Sequence, residues 1–132
     1  MSEPAGMPPL WLLQSGVAAV WLYEGLWCKV LGRSKHEFEV VAQVPFLAPA
    51  TSHALLRVLG LVETVLAVWI LAGWQPIAAA IAQTALLVGL NSAGIYFSRH
   101  RIPDPAGMLV KNAAFLVLAW VAASAVAQRA SA

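Results

Sequence analysis

The stretch His53-ALLRVLGLVETVLAVWILA-Gly73 decides the fold. Apart from His53, Arg57, Glu63 and Thr64 it is apolar throughout. As a helix it is long enough to cross about 30 Å of hydrocarbon. A charge in that medium costs about 2.5–3.5 kcal/mol on insertion scales, so Glu63 is expected to have a partner or a purpose there. Three further runs share the pattern: Pro9–Leu31, Pro76–Phe97 and Ala106–Ala127, with Glu24 in the first and Lys111 in the last. None carries the charged stripe that each helix of a soluble bundle presents to water. With 61% hydrophobic and 11% charged residues among 132, the chain reads as an integral membrane protein.

The expected fold is all-α, a transmembrane four-helix up-and-down bundle forming a single domain over residues 1–132. The first run reads as a span rather than a cleaved leader, because residues 1–8 carry Glu3 and no basic residue and the run is too long. Lone Cys28 excludes an internal disulfide or a CxxC redox pair, and the three histidines lack metal-ligand spacing. The pI near 9.0 would suggest nucleic acid in a soluble chain, but here the basic residues flank membrane segments. The expected partners are the lipid bilayer and another membrane protein or an oligomer, with no nucleic acid.

Basic residues are unevenly distributed. Lys29, Arg33, Lys35 and Arg57 bracket the first loop, and Arg99, Arg101 and Lys111 bracket the third. The middle loop, Gly73 to Pro76, has no charge. The positive-inside rule then places the first and third loops in the cytoplasm and both termini outside. Ser34 followed by Glu37 is a capping-box pattern, which predicts a short interfacial helix within residues 34–44, ending before Pro45. Trp11, Trp74, Tyr96 and Trp120 fit an aromatic belt.

Helical wheels group the polar residues. Gln14, Trp21, Gly25, Cys28 and Gly32 share a face of the first run, flanked by Glu24 and Lys29. Glu63 lies with Leu56, Gly60 and Ala67 in the second. Pro76, Ala80, Gln83, Thr84, Leu87, Asn91, Gly94 and Ser98 line one stripe of the third, and Lys111, Asn112, Phe115, Ala119 and Ala122 one of the fourth. Counted from the first and third loops, Glu24, Glu63, Asn91 and Lys111 lie about 8–15 Å deep. The expectation is a polar pocket in the cytoplasmic half of the bundle.

That pocket has two readings. In one, the carboxylates Glu24 and Glu63 pair with Lys29 and Lys111, and Asn91 and Asn112 satisfy the rest, fixing helix register. Interhelical hydrogen bonds in membranes average about 0.6 kcal/mol, so such glue is weak for costly residues. In the other, the pocket holds the polar head of a small amphipathic ligand entering from the lipid. Glu63 then carries a proton, and Trp21, Trp27 and Phe115 offer aromatic walls. A buried lone Cys28 is more often a packing residue than a nucleophile.

Trp21-Leu-Tyr-Glu-Gly25 followed by Lys29 resembles the first-helix pattern of DoxX-like membrane proteins. Gly60-Leu-Val-Glu63 resembles their second-helix glycine–glutamate motif, and Pro105-Ala-Gly-Met-Leu-Val-Lys111-Asn112 the opening of their fourth helix. The resemblance implies a small four-helix protein of the bacterial inner membrane, whose relatives are linked to membrane oxidoreductase systems, including thiosulfate:quinone oxidoreductase subunits. In some relatives a similar domain follows a nucleotide-sugar-epimerase-like domain. Here there is no Gly-x-Gly-x-x-Gly and no length for such a unit, so catalysis by a fused domain is not carried over.

The expected function is to bind a quinone or other lipid-soluble molecule, or to support a membrane oxidoreductase that uses one. Candidate catalytic residues are Glu63 and Glu24; candidate ligand-binding residues are Glu24, Lys29, Glu63, Asn91, Lys111, Asn112 and Trp21. No metal, haem or nucleotide is expected. The alternatives are a non-catalytic accessory subunit of a larger membrane complex and a small transporter.

Overall fold

The computed structural model describes residues 6–33, 39, 42–45 and 48–131. Among these there are four α-helices and no strand: α1 (Leu10–Leu22), α2 (Pro49–Ala72), α3 (Pro76–Ser98) and α4 (Pro105–Ser131). A π-helical segment, Tyr23–Val30, continues α1, and a 3-10 turn, Arg99–Arg101, follows α3. The expected spans at 53–73, 76–97 and 106–127 therefore appear as slightly longer helices. Three segments, Pro49–Ala72, Pro76–Arg101 and Pro105–Ser131, are long and apolar enough to cross a membrane. The expected first span, 9–31, departs from a plain α-helix at Tyr23. Most of the predicted interfacial helix at 34–44 lies outside the described residues; of those described, Glu39 is helical and Ala42 and Gln43 form a turn.

Local chemistry sets the helix ends. Pro49, Pro76 and Pro105 each open a helix, where the missing N–H costs nothing and φ is already helical. Asp104 caps α4, its Oδ1 accepting the Gly107 N–H at 3.0 Å. Gly73 ends α2 at φ 71°, a left-handed conformation that glycine adopts without Cβ strain, and its N–H donates to the Trp69 and Ile70 carbonyls.

α1 lies antiparallel to α2, and α3 to α4. Gln14 Nε2 donates to the Ile70 carbonyl at 3.1 Å, joining the start of α1 to the end of α2. Asn112 Nδ2 donates to Asn91 Oδ1, and Trp120 Nε1 to Thr84 Oγ1, both at 2.9 Å, joining α4 to α3. The two hairpins meet mainly through α1 and α4, while α2 and α3 barely touch. Gln43 and His100 lie 2.9 Å apart, which brings the first and third loops to the same end of the molecule. The apolar core, including Leu13, Val17, Leu66, Ile70, Ala119 and Ala122, occupies the end nearer the Gly73 turn. The charged side chains Glu24, Lys29 and Glu63 lie farther from that turn.

Candidate functional site

The π-helical segment positions the site. Hydrogen bonds there close between residues five apart, as from the Leu31 N–H to the Leu26 carbonyl at 2.9 Å. Residues five apart thus come to one side, whereas an α-helix would turn them away from each other. Glu24 and Lys29 are such a pair. Lys29 Nζ donates to the Glu24 backbone carbonyl at 3.4 Å and lies 3.7 Å from Glu24 Oε2.

The same ammonium reaches across to α2. Lys29 Nζ donates to Glu63 Oε2 at 3.0 Å, with Lys29 6% and Glu63 1% exposed. Glu24 differs, at 41% exposed. One lysine therefore links a buried carboxylate to a half-exposed one. Two glycines allow the approach. A Cβ on Gly25 would stand 2.6 Å from the Gly60 carbonyl oxygen, and a Cβ on Gly60 would stand 2.6 Å from that of Gly25 and 2.7 Å from Lys29 Cβ. Larger residues would hold the segment away from α2, outside the reach of the ion pair. Beside Glu63, Thr64 Oγ1 donates to the Gly60 carbonyl at 2.7 Å.

Chemically, a charged pair this deep is costly to bury and contributes little net stability. It can hold or exchange a proton between its carboxylates, or present an ammonium and a carboxylate to a polar ligand head. Buried Trp21 lies one turn before Gly25. Its Nε1 donates to Gln83 Oε1 at 2.9 Å, and its ring meets Phe115 edge-on at 5.9 Å. This ties α1 to both α3 and α4.

The expected site residues are thus only partly assembled. Glu24, Lys29 and Glu63 meet directly. Lys29, expected near the mouth, is instead buried against Glu63, because the π turn aims it inward. Asn91 and Asn112 bond each other across the second hairpin, partly buried. Lys111 does not join the carboxylates. Its side chain is exposed and forms no ion pair among the described residues, because the packed face of α4 runs through Asn112, Phe115 and Ala119 and position 111 lies at its edge. Trp27, considered as an aromatic wall, faces outward at 50% exposure, with the Arg33 guanidinium over its ring at 5.7 Å.

Two features were missed in the sequence. Gln83 was placed on the polar stripe of α3 but not recognised as the partner of Trp21. The π segment was not foreseen, and the signal for it was the glutamate–lysine spacing of five residues, which an α-helix leaves unpaired. The model of the DoxX-like family matches residues 18–120, a span that contains the charge cluster and both hairpins. No curated protein and no solved structure matches the chain significantly.

Proposed function

The chain belongs to the DoxX-like family, and on that premise we propose that its Glu63–Lys29–Glu24 cluster is a proton-handling site serving a lipid-soluble redox molecule, a quinone being the leading candidate, or a membrane oxidoreductase that uses one. The observation that carries this reading is the 3.0 Å Lys29–Glu63 pair, nearly sealed from the surface, with Glu24 left half-exposed beside it. Glu63 is the proton acceptor or donor, Lys29 sets its charge, and Glu24 connects the cluster to the surroundings. Asn91 and Asn112, on the facing hairpin, offer hydrogen bonds to a ligand head, and Trp21 a rigid aromatic floor. π-helical turns recur at functional sites in other proteins, which favours a working role for Tyr23–Val30. No metal, haem or nucleotide enters the scheme; electrons would pass through an organic molecule or a partner protein.

The architecture in this reading is an up-and-down bundle in the bacterial inner membrane with both termini extracytoplasmic. The antiparallel pairing, the Gln43–His100 contact and the basic residues of the first and third loops support it. A second reading, a non-catalytic accessory subunit, draws on the open apolar cleft between α2 and α3 that includes Val58, Val62, Val65, Ala85 and Leu86. In a third, a small transporter, flux in proteoliposomes would depend on Glu63.

Native mass spectrometry of protein extracted from its own membrane in mild detergent tests the proposal. A retained molecule of quinone or lipid mass, absent from a folded Glu63→Gln variant, is the expected result. A stoichiometric protein partner with no small molecule would replace it with the accessory role.

A further inference from the structure

Lys111 is the charged side chain that the intramembrane cluster leaves out. It lies about 9 Å along the axis from Pro105 at 1.5 Å per residue, with the exposed apolar residues Ala114 and Leu118 on its own face of the helix. An ammonium facing acyl chains needs an anionic oxygen. On a helix, side chains lean toward the N-terminus, so Lys111 leans toward the Ser98–Asp104 end. Arg99 and Arg101 are exposed there and, like Lys111, form no ion pair among the described residues. The nearest acid in sequence, Asp104, already accepts the Gly107 N–H as the cap of α4. A long lysine stem that lies along apolar surface while its head rises to the headgroup layer is the usual way such a residue is accommodated.

We propose that Lys111 is the phosphate-contacting residue of an anionic-phospholipid site on the outer face of α4, with Arg99 and Arg101 adding positive charge at the headgroup level. The site prefers a net-negative headgroup to a zwitterionic one, because Lys111, Arg99 and Arg101 are exposed and Asp104 is the one acid between residues 99 and 111. This inference is independent of the proton-handling role of Glu63.

The test is native mass spectrometry of the full chain after exchange into phosphatidylcholine nanodiscs containing a minor share of phosphatidylglycerol. The wild type is expected to keep phosphatidylglycerol preferentially, Lys111→Gln to keep about fivefold less, and Lys111→Arg to keep it. Arg57→Gln removes another exposed positive charge, from α2, and is expected to leave retention unchanged. Because position 111 is exposed, Lys111→Gln should melt at the wild-type temperature, which separates lipid loss from unfolding. Equal loss in both glutamine variants, or in neither, overturns the proposal. So does displacement of the lipid by inorganic phosphate alone, or a Lys111-dependent dimer with no bound lipid.

Discussion

In the first hairpin an ammonium and a carboxylate meet at 3.0 Å with 6% and 1% exposure, whereas the second is joined by the neutral contacts Asn112–Asn91 and Trp120–Thr84, each 2.9 Å and partly buried. The backbone differs in the same way. Gly25 and Gly60 bring the first pair of helices to a distance that excludes a Cβ on either, while Gly89 on α3 has open space around it. Neutral hydrogen bonds satisfy the ordinary requirement of a membrane helix pair at small cost. The first hairpin adds an ion pair, a π-helical turn and a glycine crossing that simple association does not need. Such investment in one hairpin is the physical ground for assigning it the working site.

The sharpest way to break this contrast is to remove one partner of the ion pair. Lys29→Met leaves the Glu63 carboxylate buried without its cation, and unfolding in detergent is expected to show a loss of about 3–5 kcal/mol. Adding Glu63→Leu should recover most of that loss, since a well-packed apolar pair replaces a buried ionic one at little net cost. A smaller effect is expected from Gly60→Val, whose Cβ would meet the Gly25 carbonyl oxygen at 2.6 Å. Overpacking of this kind costs about 1–3 kcal/mol, and it should also separate Lys29 from Glu63, visible as a weaker disulfide cross-link between cysteines placed across the two helices. In the second hairpin, Asn112→Leu should cost about 0.6 kcal/mol, the membrane average for an interhelical hydrogen bond. Gly89→Ala should be the mildest, leaving the melting temperature unchanged or slightly raised, because nothing lies within 4 Å of the added methyl. Comparable losses in the two hairpins would erase the distinction.

Much of the fold was legible because hydrophobic length is a strong signal. The apolar runs located α2, α3 and α4, with Gly73 and Pro76 at the turn between the first two. However, α2 begins four residues earlier, at Pro49, and α4 runs four residues further, to Ser131. Glu63 was legible for the same reason, as an acid in the middle of a greasy run, and so was its shared face with Leu56, Gly60 and Ala67, all buried. Asn91 and Asn112 fell on facing stripes and do bond. What the sequence concealed was conformational. A wheel drawn at the α-helical angle put Glu24 and Lys29 on separate flanks, and the π turn brings them together. It also grouped Lys111 with its helix's inner stripe, although a residue at the edge of a stripe turns outward when the neighbouring helix lies to one side. Depth counting predicted one convergent pocket. The structure instead shows an ionic cluster in the first hairpin, a neutral asparagine pair in the second, and Lys111 exposed.

The most direct test of the central claim pairs stability with occupancy in the Lys29→Met/Glu63→Leu double variant, melted in detergent and examined for a retained lipid-soluble molecule by native mass spectrometry. A variant that melts close to the wild type but has lost that molecule is the predicted result, since the charges then serve the ligand and not the fold. A double variant that is folded and still carries the molecule would contradict it, leaving the ion pair without the role assigned here.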